Sequence, residues 1–358
     1  MKKSSKIMSL VIAGAMVLSM GACGGSGNSG ATTAAGTTAA ETKAAETTAA
    51  DTTAAGVSET TEAKAEAAAD GKTYKIGILQ LTQHPALDAA NEGFVKALDD
   101  AGVAYELDQQ NASGDQSVCQ TVASKFANDG KDLILAIATP AAQAMAGAVS
   151  DTPVLITAVT DPAESGLVET NEKPGANVTG TSDLTPVKEQ IDLLKQILPE
   201  AKTIGILYCS AESNSEIQAQ MAREAIQAAG MESKDFTVSS SNEIQTVVQS
   251  MVGKVDAVYA PTDNTIAAGM TTVAMVANDN KLPVICGESG MVNSGGLATY
   301  GIDYFQLGYM TGQQAVKILT EGASPADMPI EYLKAENCEL TVNEETANTL
   351  GIDVSGLK

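Results

Sequence analysis

Apolar residues fall along this chain in two alternating textures. Short unbroken runs such as Ile76-Gly77-Ile78-Leu79, Leu133-Ile134-Leu135-Ala136 and Val154-Leu155-Ile156 mark strands buried on both faces. Between them the spacing becomes helical, as in Leu87, Ala90, Phe94, Ala97 and Leu98, closing on Gly102. The set then recurs. Lys75-Ile76-Gly77-Ile78-Leu79-Gln80 returns as Thr203-Ile204-Gly205-Ile206-Leu207-Tyr208, and the helical spacing returns as Ile217, Met221, Ala225 and Ile226 before Gly230. Residues 131–136 return as 254–259, and 152–156 as 282–286. Strands alternating with amphipathic helices, twice over, predict an α/β protein of two doubly wound parallel-sheet lobes.

The chain leaves the first lobe near 180–186 and starts a helix over 187–198, ended by Pro199. A second crossing is predicted near 301–304, because the helix over 305–319 has no counterpart at that point of the first half. A third is placed where the last strand begins, near Cys338. Lobe 1 is therefore read as residues 73–182 with 303–337, and lobe 2 as 183–302 with 338–358, joined by a hinge with multiple crossovers.

The chain before residue 73 follows another pattern. Lys2, Lys3 and Lys6 precede an apolar run over 7–20 that is too short for a comfortable membrane span, which is the form of a secretory signal. It closes on Leu18-Ser19-Met20-Gly21-Ala22-Cys23, an arrangement resembling the bacterial lipobox. Residues 1–22 are thus expected to be a lipoprotein signal peptide, with Cys23 acylated and holding the protein on the extracytoplasmic face of the membrane. Residues 23–72, rich in Ala, Thr and Glu, have no apolar face to bury and read as a disordered tether. A net charge of -23 argues against a nucleic-acid partner. Cys119, Cys209, Cys286 and Cys338 lack metal-ligand spacing and read as free thiols, so neither metal nor cofactor is expected. A monomer attached to the membrane only through its lipid is the simplest form.

In open α/β sheets a ligand sits beyond the carboxyl ends of the strands. That rule selects the loops at 82–85, 138–141 and 159–162 in the first half, and at 209–215, 261–264 and 287–290 in the second. Thr139 before Pro140 reads as a helix cap that leaves the N–H groups of Ala141 and Ala142 for a carboxylate. An ammonium needs an acid. Asp161, Asp263 and Glu288 stand at strand ends, with Asp183 and Asp303 near the crossings, and Asp161 and Asp263 are the preferred pair.

Taken in order, Gln83-His84-Pro85-Ala86-Leu87-Asp88, Ala138-Thr139-Pro140-Ala141-Ala142-Gln143, Thr160-Asp161-Pro162, Val178-Thr179-Gly180-Thr181-Ser182-Asp183, Pro261-Thr262-Asp263-Asn264 and Tyr304-Phe305-Gln306-Leu307-Gly308 resemble the substrate-binding lipoproteins of tryptophan/tyrosine-type ABC transporters. The resemblance runs from Lys75 onward. It implies the type I periplasmic-binding-protein fold, a two-lobe clamp, and a cognate ABC permease with its ATPase as partners. Carried over loop by loop, it implies that Thr139, Ala141, Thr160 and Asp161 hold the backbone of an amino acid. His84, Leu87, Tyr208, Glu212, Asn214, Asp263, Glu288 and Asp303 then complete the pocket. An aromatic amino acid is the favoured ligand. An aliphatic amino acid, a sugar, a nucleoside or a sensor role are the alternatives. A hydrolase using His84, the only histidine, is disfavoured, since no Gly-x-Ser-x-Gly elbow or phosphate loop is present.

Overall fold

The structure, a computed structural model, describes residues 60–64, 71–333 and 337–357. The signal segment, Cys23 and all of the tether except 60–64 and 71–72 lie outside the described residues. The first half supplies strands β1 (Thr60–Lys64), β2 (Tyr74–Gln80), β3 (Tyr105–Asn111), β4 (Leu133–Ile137), β5 (Val154–Val159) and β6 (Val178–Ser182). Its helices are α1 (Pro85–Asp100), α2 (Gln116–Asn128) and α3 (Thr139–Ala148). The second half runs α4 (Val187–Ile197), β7 (Thr203–Cys209), α5 (Ser213–Ala228), β8 (Glu232–Val238), α6 (Ile244–Met251), β9 (Ala257–Ala260), α7 (Asn264–Ala268), α8 (Met270–Asp279), β10 (Val284–Cys286), α9 (Ser289–Asn293) and β11 (Ala298–Gly301). Then come α10 (Tyr304–Glu321), β12 (Glu331–Tyr332), β13 (Glu339–Val342) and α11 (Glu344–Leu350).

The two sheets repeat one order, β3-β2-β4-β5-β6 and β8-β7-β9-β10-β11, with these neighbours parallel throughout. Helices cover both faces, so the central strands β4 and β5 are buried along their whole length, as their unbroken apolar sequences require. The glycine repeated in both first strands also has a packing cause. A Cβ on Gly77 would stand 2.8 Å from the Phe126 ring of α2, and one on Gly205 would collide with Met251 of α6. In each half a large side chain from the helix after the edge strand lies directly against the sheet.

Two features differ from expectation. Thr60–Lys64, inside the predicted tether, forms strand β1, paired antiparallel with β3 from Thr60↔Gln109 to Lys64↔Tyr105. Composition gives no sign of it, because pairing along the backbone edge of β3 uses groups that every residue has. Helix α10 also has a counterpart, namely α4. Each follows the last parallel strand of its half, β6 or β11, and crosses to the other lobe: α4 packs on α5, β10 and β11, whereas α10 packs on α1, β5 and β6. The α1–α10 contact is close enough that a Cβ on Gly308 would lie 1.8 Å from the Ala90 carbonyl oxygen. Finally, β12 adds to β6 in the first sheet and β13 to β11 in the second, so the chain crosses a third time between them.

Candidate functional site

The carboxyl ends of the two sheets face each other across a cleft, closed down to a narrow cavity of about 10 Å³. The first lobe contributes His84 and Leu87 at the start of α1, and Ala158 and Thr160 at the end of β5. Asp183 and Tyr304 enter from the two hinge segments. The second lobe contributes Asn214, Thr262, Asp263, Asn264, Ala267 and Glu288 from the starts of α5, α7 and α9.

Backbone irregularity shapes the first-lobe wall. Ala158 has a φ of 54°, in the left-handed region, and the β5–β6 register shifts between Ile156 and Val159. Beside it Gly180 has a φ of 149°, and a Cβ there would lie 2.0 Å from the Ile156 carbonyl oxygen, so only glycine fits. Past this bulge the Ser182 hydroxyl donates to the Thr160 carbonyl at 2.7 Å, tying the end of β6 to the end of β5 and turning Asp183 into the cleft.

The cavity is lined by acids and by no lysine or arginine. Two of its acids serve the protein's own backbone. Asp263 accepts from the N–H of Ile266 at 2.7 Å, capping α7, and from the N–H of Cys209; Glu288 caps α9 by accepting from Gly290 and Met291. Asp183 differs. One of its oxygens accepts from the Tyr304 hydroxyl at 2.7 Å, while the other is buried without a partner. Burial pushes its pKa up to about 6, against the lowering effects of the Tyr304 hydroxyl, of the nearby Thr160 hydroxyl and of its own backbone N–H. Burial likewise raises Asp263 to about 7, with help from the charge of Glu212, and Glu288 to about 7 despite its two backbone donors. His84 is lowered by burial, partly offset by its contact with Asn264 and by the charges of Glu212 and Asp88.

Of the residues picked out from sequence, His84, Leu87, Thr160, Asn214, Asp263 and Glu288 line the cavity. Asp161 does not. Its carboxylate accepts from Ala163 N, Glu164 N and Asn171 Nδ2, closing its own turn. Tyr208 points into a surface ion cluster, where its hydroxyl accepts from Arg223 at 2.9 Å, and Asp303 caps α10 through the N–H of Gln306. Glu212 stands behind Asn264, accepting from its side-chain amide at 2.6 Å. At α3 the cap is Ala138, with a φ of 82°, so the helix starts one residue earlier than predicted and Ala142 N donates to Ala138 O. Ala141 and Thr139 are fully buried there, and the Thr139 hydroxyl has no partner.

Sequence reasoning offers Asp183 only as an acid near a crossing, because the strand-end rule ranks helix starts above hinge segments, and Tyr304 only as part of the motif at 304–308. Ala158 had no signal at all, since nothing in an alanine announces a left-handed backbone. Thr262, Asn264 and Ala267 ride on the loop whose Asp263 was chosen. Among the described residues no cluster of three or more His, Cys, Asp or Glu is placed to hold a metal, and no helix is long and apolar enough to cross a membrane.

Residues 75–356 match the ABC transporter substrate binding protein family. A tyrosine-binding protein of Clostridioides difficile (strain R20291) is 42% identical over 354 residues, spanning 98% of this chain and 93% of its own. Among solved structures, an ABC domain from Streptococcus pneumonia in complex with L-Trp superposes with a TM-score of 0.76 at 40% identity, covering 79% of this chain and 96% of that one. The ligand-free, open structure of a substrate-binding protein with adhesive properties from Clostridium difficile is 47% identical over 80% of this chain and 97% of its own, with a TM-score of 0.61. The open structure is nearer in sequence and farther in shape. That inversion is what two similar lobes set at a different angle produce.

Proposed function

This chain belongs to the family of ABC transporter substrate-binding proteins, of the type I periplasmic-binding-protein fold, and from that premise we propose that it captures an aromatic amino acid, L-tyrosine or L-tryptophan, between its lobes for import. The observation that carries the reading is the buried, unpartnered oxygen of Asp183 in a cavity lined by acids and by no basic side chain. A buried carboxylate oxygen without a partner is costly, and an ammonium group supplies both the charge and the hydrogen bond that it lacks. The ligand carboxylate goes to the start of α3, where the Thr139 hydroxyl is unpartnered and the N–H of Ala141 lies in the first, acceptor-free turn. Leu87, Ala267 and Tyr304 give the ring an apolar wall. Because the ligand touches both lobes and the hinge, it favours the closed arrangement over the open one.

In this reading the chain is a carrier and leaves its ligand unchanged. Acylated Cys23 holds it at the outer face of the membrane, and the closed form delivers to an ABC permease and its ATPase. The protein contains no tryptophan, so indole emission in a titration with L-tryptophan comes from the ligand alone. Saturable, one-to-one binding of L-tryptophan and L-tyrosine is the expected result. Binding of leucine or a sugar, with neither aromatic ligand bound, would remove the assignment. For the anchor, Cys23→Ser should release the protein from membranes of cells that otherwise retain it.

A further inference from the structure

His84 is the only histidine of the chain, and its two ring nitrogens meet different surroundings. Nε2 lies 3.3 Å from Asn264 Oδ1, while Nδ1 is buried without a partner in a ring that lines the cavity. Which nitrogen carries the hydrogen follows from the groups behind Asn264. Glu212 is approached by Asn264 N at 3.3 Å, Asn264 Nδ2 at 2.6 Å and Thr265 N at 3.0 Å. The two backbone N–H groups can only donate, so Glu212 accepts, and an accepting carboxylate draws the NH₂ end of an amide. The amide of Asn264 therefore turns its NH₂ to Glu212 and its carbonyl to His84. A carbonyl cannot donate, so Nε2 holds the hydrogen and Nδ1 of the neutral ring is a bare lone pair. Burial lowers the basicity of the ring and keeps it neutral.

The cavity thus has two polar groupings. In one, Asp183 and Tyr304 are bonded together and Glu288 is close enough for its charge to act on Tyr304. In the other, His84 faces Asn264 and feels the charges of Glu212 and Asp88. The first suits a cation. The second suits a neutral hydrogen-bond donor.

We propose that His84 is a specificity-determining residue whose Nδ1 accepts a hydrogen bond from the ring of the ligand, the phenol O–H of tyrosine or the indole N–H of tryptophan, and so selects these over phenylalanine. The proposal rests on the aromatic amino-acid reading above. Phenylalanine would seal the lone pair against carbon, which costs a buried acceptor its partner and should weaken binding about 10- to 100-fold.

The test is titration of the full chain and its His84→Asn and His84→Gln variants with L-tyrosine, L-tryptophan and L-phenylalanine. An asparagine carbonyl can stand where Nδ1 stands, whereas glutamine reaches only the place of Nε2. The wild type and His84→Asn should prefer tyrosine and tryptophan, and His84→Gln should bind all three within about threefold of one another. An equal loss for all three ligands in His84→Gln would mean that the nitrogen meets the ammonium, and would overturn the proposal. So would a wild type that fails to discriminate. Should no aromatic amino acid bind the wild type, the ligand reading falls and the proposal falls with it. A readout without mutation comes from ¹⁵N-histidine labelling, which gives a single imidazole. The proposal requires a protonated Nε2 and an Nδ1 resonance that moves on adding L-tyrosine but not L-phenylalanine; a protonated Nδ1 sinks it.

Discussion

His84 and Glu212 occupy the same place in the two halves, the residue before the helix that follows β2 or β7, as Ala138 and Asp263 do before the helix that follows the central strand. The second lobe fills these places with carboxylates and uses them on its own backbone. Glu212 and Asp263 together hold the N–H groups of Asn264, Thr265 and Ile266, and Glu288 holds those of Gly290 and Met291. The first lobe and its hinge leave polar atoms unmatched instead: His84 Nδ1, Thr139 Oγ1 and Asp183 Oδ1 are buried without partners, with Asn214 Oδ1 as the second lobe's one contribution to the cleft. One duplicated framework thus carries a lobe whose acids bond its own loops and a lobe whose buried polar atoms the protein leaves unmatched. An acid at a strand end says little until its hydrogen-bond partners are known.

Asp183→Asn is the sharpest way to break this contrast. Removing the charge that meets the ammonium should lower affinity about 100-fold or more, within the 2–5 kcal/mol expected when a buried charge loses its partner. The ligand-free protein should become more stable at pH 7, by about 1–3 kcal/mol, because burial disfavours the charged carboxylate that the substitution removes. Calorimetric titration and chemical denaturation read the two effects separately. A variant that binds normally would return the site to the helix-start acids. Asp263→Ala should do the reverse. It orphans the buried N–H groups of Cys209 and Ile266 and should cost about 2–4 kcal/mol of stability, with binding reduced only as far as the fold is. Normal denaturation with lost binding would make Asp263 a ligand contact after all.

The contrast explains how much could be read in advance. The alternation of runs and helical spacings exposed both sheets, the duplication and the strand-end loops, because a doubly wound sheet buries its strands on both faces and leaves that record in the apolar residues. Which acid faces the ligand could not be read. Asp161 and Asp263 have the same local sequence character as a binding acid, and only the positions of Asn171 and Cys209, outside their own turns, complete the picture of one oxygen of Asp161 and both oxygens of Asp263 held by the protein. Asp183 owes its place to a bulge at Ala158 and a φ of 149° at Gly180, backbone events that residue type alone does not specify. The β1 strand was invisible for a similar reason, since edge pairing uses backbone groups that every residue has.

Acidity should sharpen the contrast next. Asp183 has a folded pKa of about 6, above its usual value, so the fold favours its neutral form; Asp263 and Glu288, at about 7, behave alike. The share of stability from these groups is present in full below about pH 4 and is lost as pH rises through 6 to 7. Binding has the opposite slope. An ammonium needs the ionised Asp183, so affinity should fall about tenfold from pH 7 to pH 5 while the ligand-free protein, as far as these acids contribute, grows more stable. Titrations and melts on one set of buffers test both. An affinity flat over this range would deny Asp183 its role.

Thr139→Val is the gentlest probe and bears on the carboxylate end of the ligand. The Thr139 hydroxyl is fully buried and unpartnered, so its replacement by a methyl group of similar shape removes a desolvated polar atom. The ligand-free protein should gain about 1 kcal/mol. If the hydroxyl donates to the ligand carboxylate, affinity should drop about 5- to 10-fold, the worth of one hydrogen bond to a charged group. A surface or core threonine with satisfied bonds would give neither result, and one with a purely structural fault would give the first alone. Gain of stability together with loss of affinity is therefore the signature that this lobe holds its unmatched atoms for a ligand. An unchanged affinity would leave the carboxylate to the backbone N–H of Ala141.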